Sequence, residues 1–246
     1  MGTRASEDTP SRRRRLAPLH LPRPRRTGGR SVLGALWARK TDRAIGPVPL
    51  TSREISETLW AAFGVNRRMG RGPFGGIGRT AGSASNAQEI DVYAALPEGI
   101  YRYDGAAHEL LPVASGDHRH LAITPGQRGM LGAAPVHLVY VADVARYRAA
   151  PFQEPGLRDA DIQRSYSSVA VGLIAANVEL YAAATGLSSW FHNCDARALA
   201  TALRLRPGQR ALYAHTIGHP ARPAARRRPR AGRRTGAPRS RREAAP

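Results

Sequence analysis

Positive charge is gathered at the two ends of this chain, and that segregation limits which part of it can form a core. Residues 1–40 carry eleven Lys/Arg against two acids, and residues 219–246 carry ten against one, so the ends hold +18 of the formal +20. The stretch between them, residues 41–218, is nearly neutral at +2. Segments of Arg, Pro and Gly with few large apolar side chains cannot bury enough surface to offset the entropy of ordering them. Residues 1–30 and 221–246 are therefore expected to be mostly disordered tails, and residues 31–220 a single folded domain. A core that reads nucleic acid should itself be basic. The charge argues instead for weak, non-specific polyanion contacts through the tails.

With 42% hydrophobic residues in 246, the chain can build one sizeable core and not two large ones. A lone cysteine, Cys194, excludes an internal disulfide and a cysteine-rich zinc site. It is expected as a buried small hydrophobe in a reducing, cytoplasmic setting. His118 and His120 stand in a polar loop without a third ligand, so no metal site is expected. No stretch approaches the roughly 20 apolar residues of a membrane span. Ser31–Ala38 lacks the small-residue cleavage site of a secretion signal and reads as a short helix.

Local patterns then place the elements. Thr51 followed by Glu54 marks a helix start, with Ile55, Leu59, Trp60, Ala62 and Phe63 on or near one apolar face and Gly64 as the stop. Residues 67–78 are glycine-rich with a proline, which predicts a loop. Glu89–Ala95 alternates apolar and polar residues, a half-buried strand. Ile100–Tyr103 and Glu109–Val113 would form a hairpin around Asp104-Gly105. Val136–Ala142 reads as a buried strand. Val169–Thr185 is apolar on nearly every side, so a fully buried central helix is expected. Asp195–Leu203 is a shorter helix and Gln209–Ile217 a last strand. Helices and strands interspersed around one core imply an α+β layer architecture.

Three segments stand out chemically. Arg39-Lys40-Thr41-Asp42-Arg43 combines three cations with a hydroxyl, a set suited to a phosphate and neighbouring sugar oxygens. Taken alone, an exposed charged helix end is the commoner use of such a cluster. Arg79 to Glu89, RTAGSASNAQE, offers small residues that let a planar ligand approach the backbone, with Asn86 and Gln88 as mixed donors and acceptors. An ordinary polar turn fits it equally well. Thr216-Ile217-Gly218-His219-Pro220 closes the last strand, and by itself reads as a strand stop.

In this order the three segments resemble the nitroreductase family, and within it the SagB-type dehydrogenase branch. Arg39 to Arg43 matches the family's R-R-S-x-R. Ile55 to Arg67 matches L-S-x-L-L-W-A-A-x-G-x-N-R, Arg79 to Gln88 matches R-T-A-P-S-A-x-N-x-Q, and Gly99 to Asp104 matches G-L-Y-x-Y-D. Gly172 to Leu187 matches the central helix, and Gly218-His219-Pro220 the closing G-Y-P. The resemblance implies a three-layer α+β fold, a mixed or antiparallel sheet with helices on both faces, in an intertwined homodimer with FMN at the subunit interface.

By position, the resemblance assigns Arg39, Lys40, Thr41 and Arg43 to the phosphate, the ribityl chain and the pyrimidine edge. It assigns Ser83, Asn86 and Gln88 to the ring, and puts Ser189 to Asn193, His192 and Asn193 above all, near flavin N5. Arg222, Arg226 or Arg227 would reach the phosphate from beyond Pro220. No side chain is needed as nucleophile or base, since the flavin carries the chemistry. The implied activity passes electrons from NAD(P)H through N5 to a nitroaromatic, quinone or similar acceptor in a ping-pong cycle. Oxidation of a peptide-derived heterocycle or small metabolite is the alternative within the branch. A polyanion or nucleic-acid binder working through the tails is the alternative outside it. The chain departs from the pattern at Gly82, where Pro is usual, at His219, where Tyr is usual, and at His192-Asn193, where a glycine-containing turn is commoner. Lys40 and Thr41 are milder changes that keep a charge and a hydroxyl.

Overall fold

The computed structural model describes residues 16–70 and 76–221. Residues 1–15 and 222–246 of the two expected tails fall outside this range, Arg222, Arg226 and Arg227 among them. In chain order the elements are β1 (Leu19–His20), α1 (Val32–Ala38), α2 (Ser52–Phe63), β2 (Val65–Met69), β3 (Gly76–Arg79), β4 (Ile90–Leu96), β5 (Gly99–Asp104), β6 (Glu109–Ser115), α3 (Arg128–Leu131), β7 (Val136–Asp143), α4 (Ala145–Arg148), α5 (Ala160–Thr185), β8 (Ser188–His192), α6 (Ala196–Ala202) and β9 (Gln209–Gly218). Seven strands form one sheet in the order β1-β6-β5-β4-β7-β9-β8, each described pairing antiparallel. β2 and β3 form a separate hairpin inside the stretch expected to be a loop, because Val65–Met69 finds a partner across the glycines that local pattern does not show.

The sheet is the middle of three layers. One face presents Ile90, Val92 and Ala94 of β4 and Leu138 and Tyr140 of β7 to Leu59, Ala62 and Phe63 of α2 and Val171, Ile174 and Val178 of α5. The opposite face sets Tyr93, Ala95, Val139 and Val141 against Leu199 of α6 and Ala122. β4 is thus buried on both sides rather than half-buried. Its Asp91 is matched inside by Arg146 Nη2 at 2.6 Å and Arg102 Nη1 at 3.8 Å. Burying a carboxylate without such partners would be costly.

The start of α2 is a capping box as the sequence predicts. Glu54 N donates to Thr51 Oγ1 at 3.2 Å, and Thr51 N donates to the Glu54 carboxylate at 2.7 Å. α5 begins nine residues before Val169, where Asp159 caps the N–H groups of Asp161 and Ile162. It ends at Gly186, whose φ of 82° is the left-handed conformation that lets its N–H close on the Ala182 carbonyl. By length and apolar content α5 is enough to cross a membrane. Ala170, Val171, Ile174, Ala175, Val178 and Ala182 instead line its contact with the body of the domain. The helix is not buried all round within one chain, since Val169 keeps 59% and Leu173 46% of its surface exposed.

Packing starts earlier than residue 31. Leu16 and Leu21 lie against the core, and β1 adds to the edge of β6. Arg25 grips Glu57 of α2 with Nε at 2.7 Å and Nη2 at 2.8 Å, and Tyr181 Oη of α5 donates to the same carboxylate at 3.0 Å. The hydrogen bonds from Arg25 outweigh burial and bring the Glu57 pKa down from 4.5 to about 2. A carboxyl depressed on folding contributes stability that is full above its unfolded pKa and fades as pH falls through its folded one. In urea titrations, Arg25→Met should therefore be less stable than the parent near neutral pH, and the gap should narrow between pH 4.5 and about 2. A gap that stays the same across that window would show that the arginine acts by packing alone.

Candidate functional site

The basic element that follows α1 is fixed by its own acidic residue. Asp42 N donates to the Ser189 carbonyl at 3.0 Å on the outer edge of β8. Ser188 Oγ donates to Asp42 Oδ2 at 2.8 Å and Ala44 N to Asp42 Oδ1 at 3.1 Å. Burial pushes the Asp42 pKa up, but the Ser188 hydroxyl, the Ala44 N–H and Lys40 outweigh it and hold the carboxyl below its ordinary value. Asp42 occupies the variable position of the R-R-S-x-R pattern, to which the resemblance assigns no role. The signal available was an acid among three cations, two residues before the Ala44 N–H it binds.

The closing segment is strapped to the same place. Gly46 N donates to the His219 carbonyl at 2.8 Å, Ala221 N to the Ala44 carbonyl at 2.7 Å, and Ile45 bridges Pro220. Residues near 42, 188 and 220 thus meet around a cavity of about 230 Å3, lined among others by Arg30, Lys40, Asp42, Glu179, Ser188 and Ser189. Arg30 is a cation the sequence reading assigned to the tail. Its N–H donates to the Ala184 carbonyl at 2.9 Å, which ties it to the end of α5.

The four candidate residues of the first motif are exposed and diverge. Arg39 turns onto α5, with Nη1 3.3 Å from Glu179 Oε2. Lys40 faces the cavity, with Nζ 3.6 Å from Asp42 Oδ2. The Arg43 guanidinium lies 4.6 Å over the Trp190 ring of β8, a cation–π contact. Ser189 is buried in β8, and His192 is buried at its end with Nε2 2.7 Å from Thr216 Oγ1. Asn193 is exposed. β8 itself was missed by local pattern. Burial raises the Cys194 thiol to about 11, in keeping with a packing role.

The second motif forms a compact turn of its own. Gln88 N donates to Ser83 Oγ at 2.9 Å, and Gln88 Nε2 donates to the Ile77 carbonyl at 2.7 Å and to Asn86 Oδ1 at 3.0 Å. Asn86 Nδ2 donates to the same Ile77 carbonyl, and Arg79 Nε donates to Gln88 Oε1. The amides expected to face a ring ligand are thus engaged in building the turn. Ser85, Asn86 and Gln88 all adopt left-handed φ of about 50°, an uncommon conformation for non-glycine residues that these hydrogen bonds hold in place. Asn177 of α5 anchors the turn through the Thr80 carbonyl at 3.0 Å. Among the described residues, no hydrogen bond or ion pair joins this turn to the first motif.

The nitroreductase family model matches residues 36–219, which takes in the first two segments and the third up to His219. A Methanocaldococcus jannaschii protein named as a nitroreductase is 27% identical over 161 residues, 63% of this chain and 74% of that protein. A crystal structure from Ralstonia eutropha, described as a nitroreductase, is 36% identical with a TM-score of 0.70, over 82% of this chain and 89% of that one. The NADPH:FMN oxidoreductase of Vibrio harveyi, complexed with NAD+, shares the fold at 18% identity and a TM-score of 0.52, over 77% of this chain and 68% of that one. With the match running from the end of α1 to the end of β9, the chain belongs to the nitroreductase family.

Proposed function

We propose that this protein is an FMN-dependent oxidoreductase that passes electrons from NAD(P)H to a nitroaromatic, quinone or similar acceptor. The observation that carries the reading is the convergence of the basic element, β8 and the segment after β9 around one cavity, with Asp42 and Ser188 in contact across 146 positions. The residues present fit a phosphorylated flavin. Arg30 and Lys40 line the cavity beside the hydroxyl-bearing Ser188 and Ser189, and Arg39 stands at its rim on Glu179. Charge-assisted contacts of this kind suit a phosphate. When bound, the flavin ring supplies the redox chemistry, accepting two electrons from the nicotinamide and yielding them to the acceptor.

The chain's own residues bind and orient. In this reading Arg39, Lys40 and Thr41 meet the phosphate and ribityl oxygens. Asp42 holds their backbone against β8. Arg43, kept flat on Trp190, lies near the edge of the ring where negative charge accumulates on reduction. Ser189, His192 and Asn193 line the path along β8.

A cavity of about 230 Å3 is smaller than the roughly 300–1,000 Å3 of most small-molecule sites. The ring therefore extends beyond it, and a second copy of the chain completes the site. Apolar surface suits that partner. Val32, Leu33, Leu36 and Trp37 of α1 are exposed, Trp37 at 91%, and so are Val169 and Leu173 of α5. Uncovered patches of this kind mark interfaces. In the completed site the partner's turn of Ser83, Asn86 and Gln88 contributes a preformed wall.

Denaturing the purified protein and chromatographing the supernatant should release FMN. FAD, or no flavin even after reconstitution, would overturn the reading. The two arginines should also separate. Arg39→Ala should weaken FMN binding by about 1.5–3 kcal/mol, the range for hydrogen bonds to charged groups. Arg43→Ala should lower the midpoint potential of the bound flavin more than it weakens binding of the oxidised form. Both are read by flavin titration and spectroelectrochemistry. If neither variant changes either quantity, the first motif is only a solvated helix end.

A further inference from the structure

Three cavities follow one another around the start of α5. The first, about 350 Å3, is lined by Gln153, Glu154, Pro155 and Arg158. Gln153 and Arg158 also line the second, about 390 Å3, together with Arg148, Leu157 and Gln163. Gln163 also lines the third, about 380 Å3, where Arg164 and Arg210 accompany Ala142, Val144 and Ala160. Each falls in the roughly 300–1,000 Å3 range of small-molecule sites, and each is larger than the cavity at Ser188.

Their polar walls are held by hydrogen bonds of their own. Gln153 Nε2 donates to the Ala150 carbonyl at 2.9 Å and to the Tyr147 carbonyl at 3.1 Å. Gln163 Nε2 donates to the Leu157 carbonyl at 2.6 Å, and Gln209 Nε2 to Asp143 Oδ2 at 3.0 Å. Walls already fixed in this way lose little freedom when a ligand arrives.

Charge distinguishes this surface within a core that is nearly neutral. Arg148, Arg158, Arg164 and Arg210 are all exposed. Arg164 pairs with Asp161. Among the described residues, no carboxylate forms a salt bridge with Arg148, Arg158 or Arg210. The acids nearby are engaged elsewhere. Asp159 caps α5, and Asp143 holds Arg206 and Gln209. Glu154 accepts from Ser85 Oγ at 3.4 Å. Unpaired guanidinium groups spread along a row of cavities suit a ligand with more than one phosphate.

The Ser85 contact shows what lies at one end of the row. Ser85 belongs to the turn of Ser83, Asn86 and Gln88, which in the proposed function walls the flavin of a second copy. Ala87 of that turn packs on Tyr147, Ala150 and Leu157, the segment that carries Arg148 and Arg158. The cavities thus begin at the flavin wall and lead away from it. A nicotinamide donor has the same order of parts, with the ring that meets the flavin first, then a pyrophosphate, then an adenosine. We propose that this row is the binding site of the electron donor and selects NADPH, an inference that rests on the proposed function. Arg158 and Arg148 hold the pyrophosphate. Ala142, Val144 and Ala160 flank the adenine, and Arg210 with Arg164 meets the 2′-phosphate that NADH lacks.

Calorimetry on the full-length protein, with NADP+ and NAD+ as probes, reads the site without turnover. Arg158→Ala and Arg148→Ala should each weaken both probes roughly tenfold or more, the scale of hydrogen bonds to charged groups. Arg210→Ala should weaken NADP+ to a similar degree and leave NAD+ unchanged. Arg197→Ala, in α6 on the opposite layer, should bind both as the parent does, which separates this row from positive charge in general. In turnover, the first three variants should raise the KM for NADPH while kcat and flavin content hold, as for contacts made equally in ground and transition states. Parent-like NADP+ binding by Arg158→Ala or Arg148→Ala would overturn the proposal. So would an equal loss in Arg197→Ala, or a loss of NAD+ in Arg210→Ala as large as that of NADP+. A protein without flavin would overturn the proposed function instead. The two failures are told apart because the probes report on these arginines through phosphate and adenosine, with or without the flavin.

Discussion

A 26-residue helix that is apolar on more than one side has to be covered on more than one side, and the rest of this structure is arranged to meet that constraint. The sheet and α2 cover one face of α5 through Val171, Ile174 and Val178. Helix α1 lies along it while burying only Ala35, and Val169 and Leu173 still face outward. The functional segments are hung on the same helix. Asn177 holds the start of the second motif through the Thr80 carbonyl, Glu179 holds Arg39, and Ala184 holds the backbone of Arg30 near the helix end. One rigid element therefore sets the positions of two motifs that do not touch each other.

In the proposed reading, that arrangement leaves a single chain with half a site. The first motif, β8 and the segment at Pro220 close a cavity of about 230 Å3, smaller than the proposed flavin needs, and the second motif stands apart from it. The exposed apolar stripe of α1 comes directly before the first motif in the chain and lies next to α5 in space. Covering that stripe with a second copy removes water from apolar surface and, in the same step, supplies the missing wall. The proposed dimer thereby couples stability and cofactor binding through one interface.

What could be read from the sequence was what depends on near neighbours. The capping box of Thr51 and Glu54, the hairpin of β5 and β6, and the continuous apolar run of β7 each rest on residues a few positions apart, and each stands where expected. The family pattern was legible for a related reason, since its motifs are short and ordered. The missed features depend on distant partners. Ser188–His192 has no clear alternation and is a strand because Gln209–Gly218 lies beside it. Glu57 is buried because Arg25 arrives from a segment that composition alone marks as a tail. Asn86 and Gln88 offer groups suited to a ligand, and their engagement with the Ile77 carbonyl and Arg79 could not be read from residue type. Residue type showed what these side chains can do, and the fold decided with whom.

The central claim is that flavin is held by two copies of this chain together. Sedimentation velocity followed at the visible absorbance of the flavin tests it directly, because only flavin-bearing particles are seen. The account predicts one boundary at the mass of two chains, and its loss in Trp37→Asp, which places a charge in the exposed stripe. A flavin boundary at the mass of one chain, or one that Trp37→Asp leaves unchanged, would contradict it.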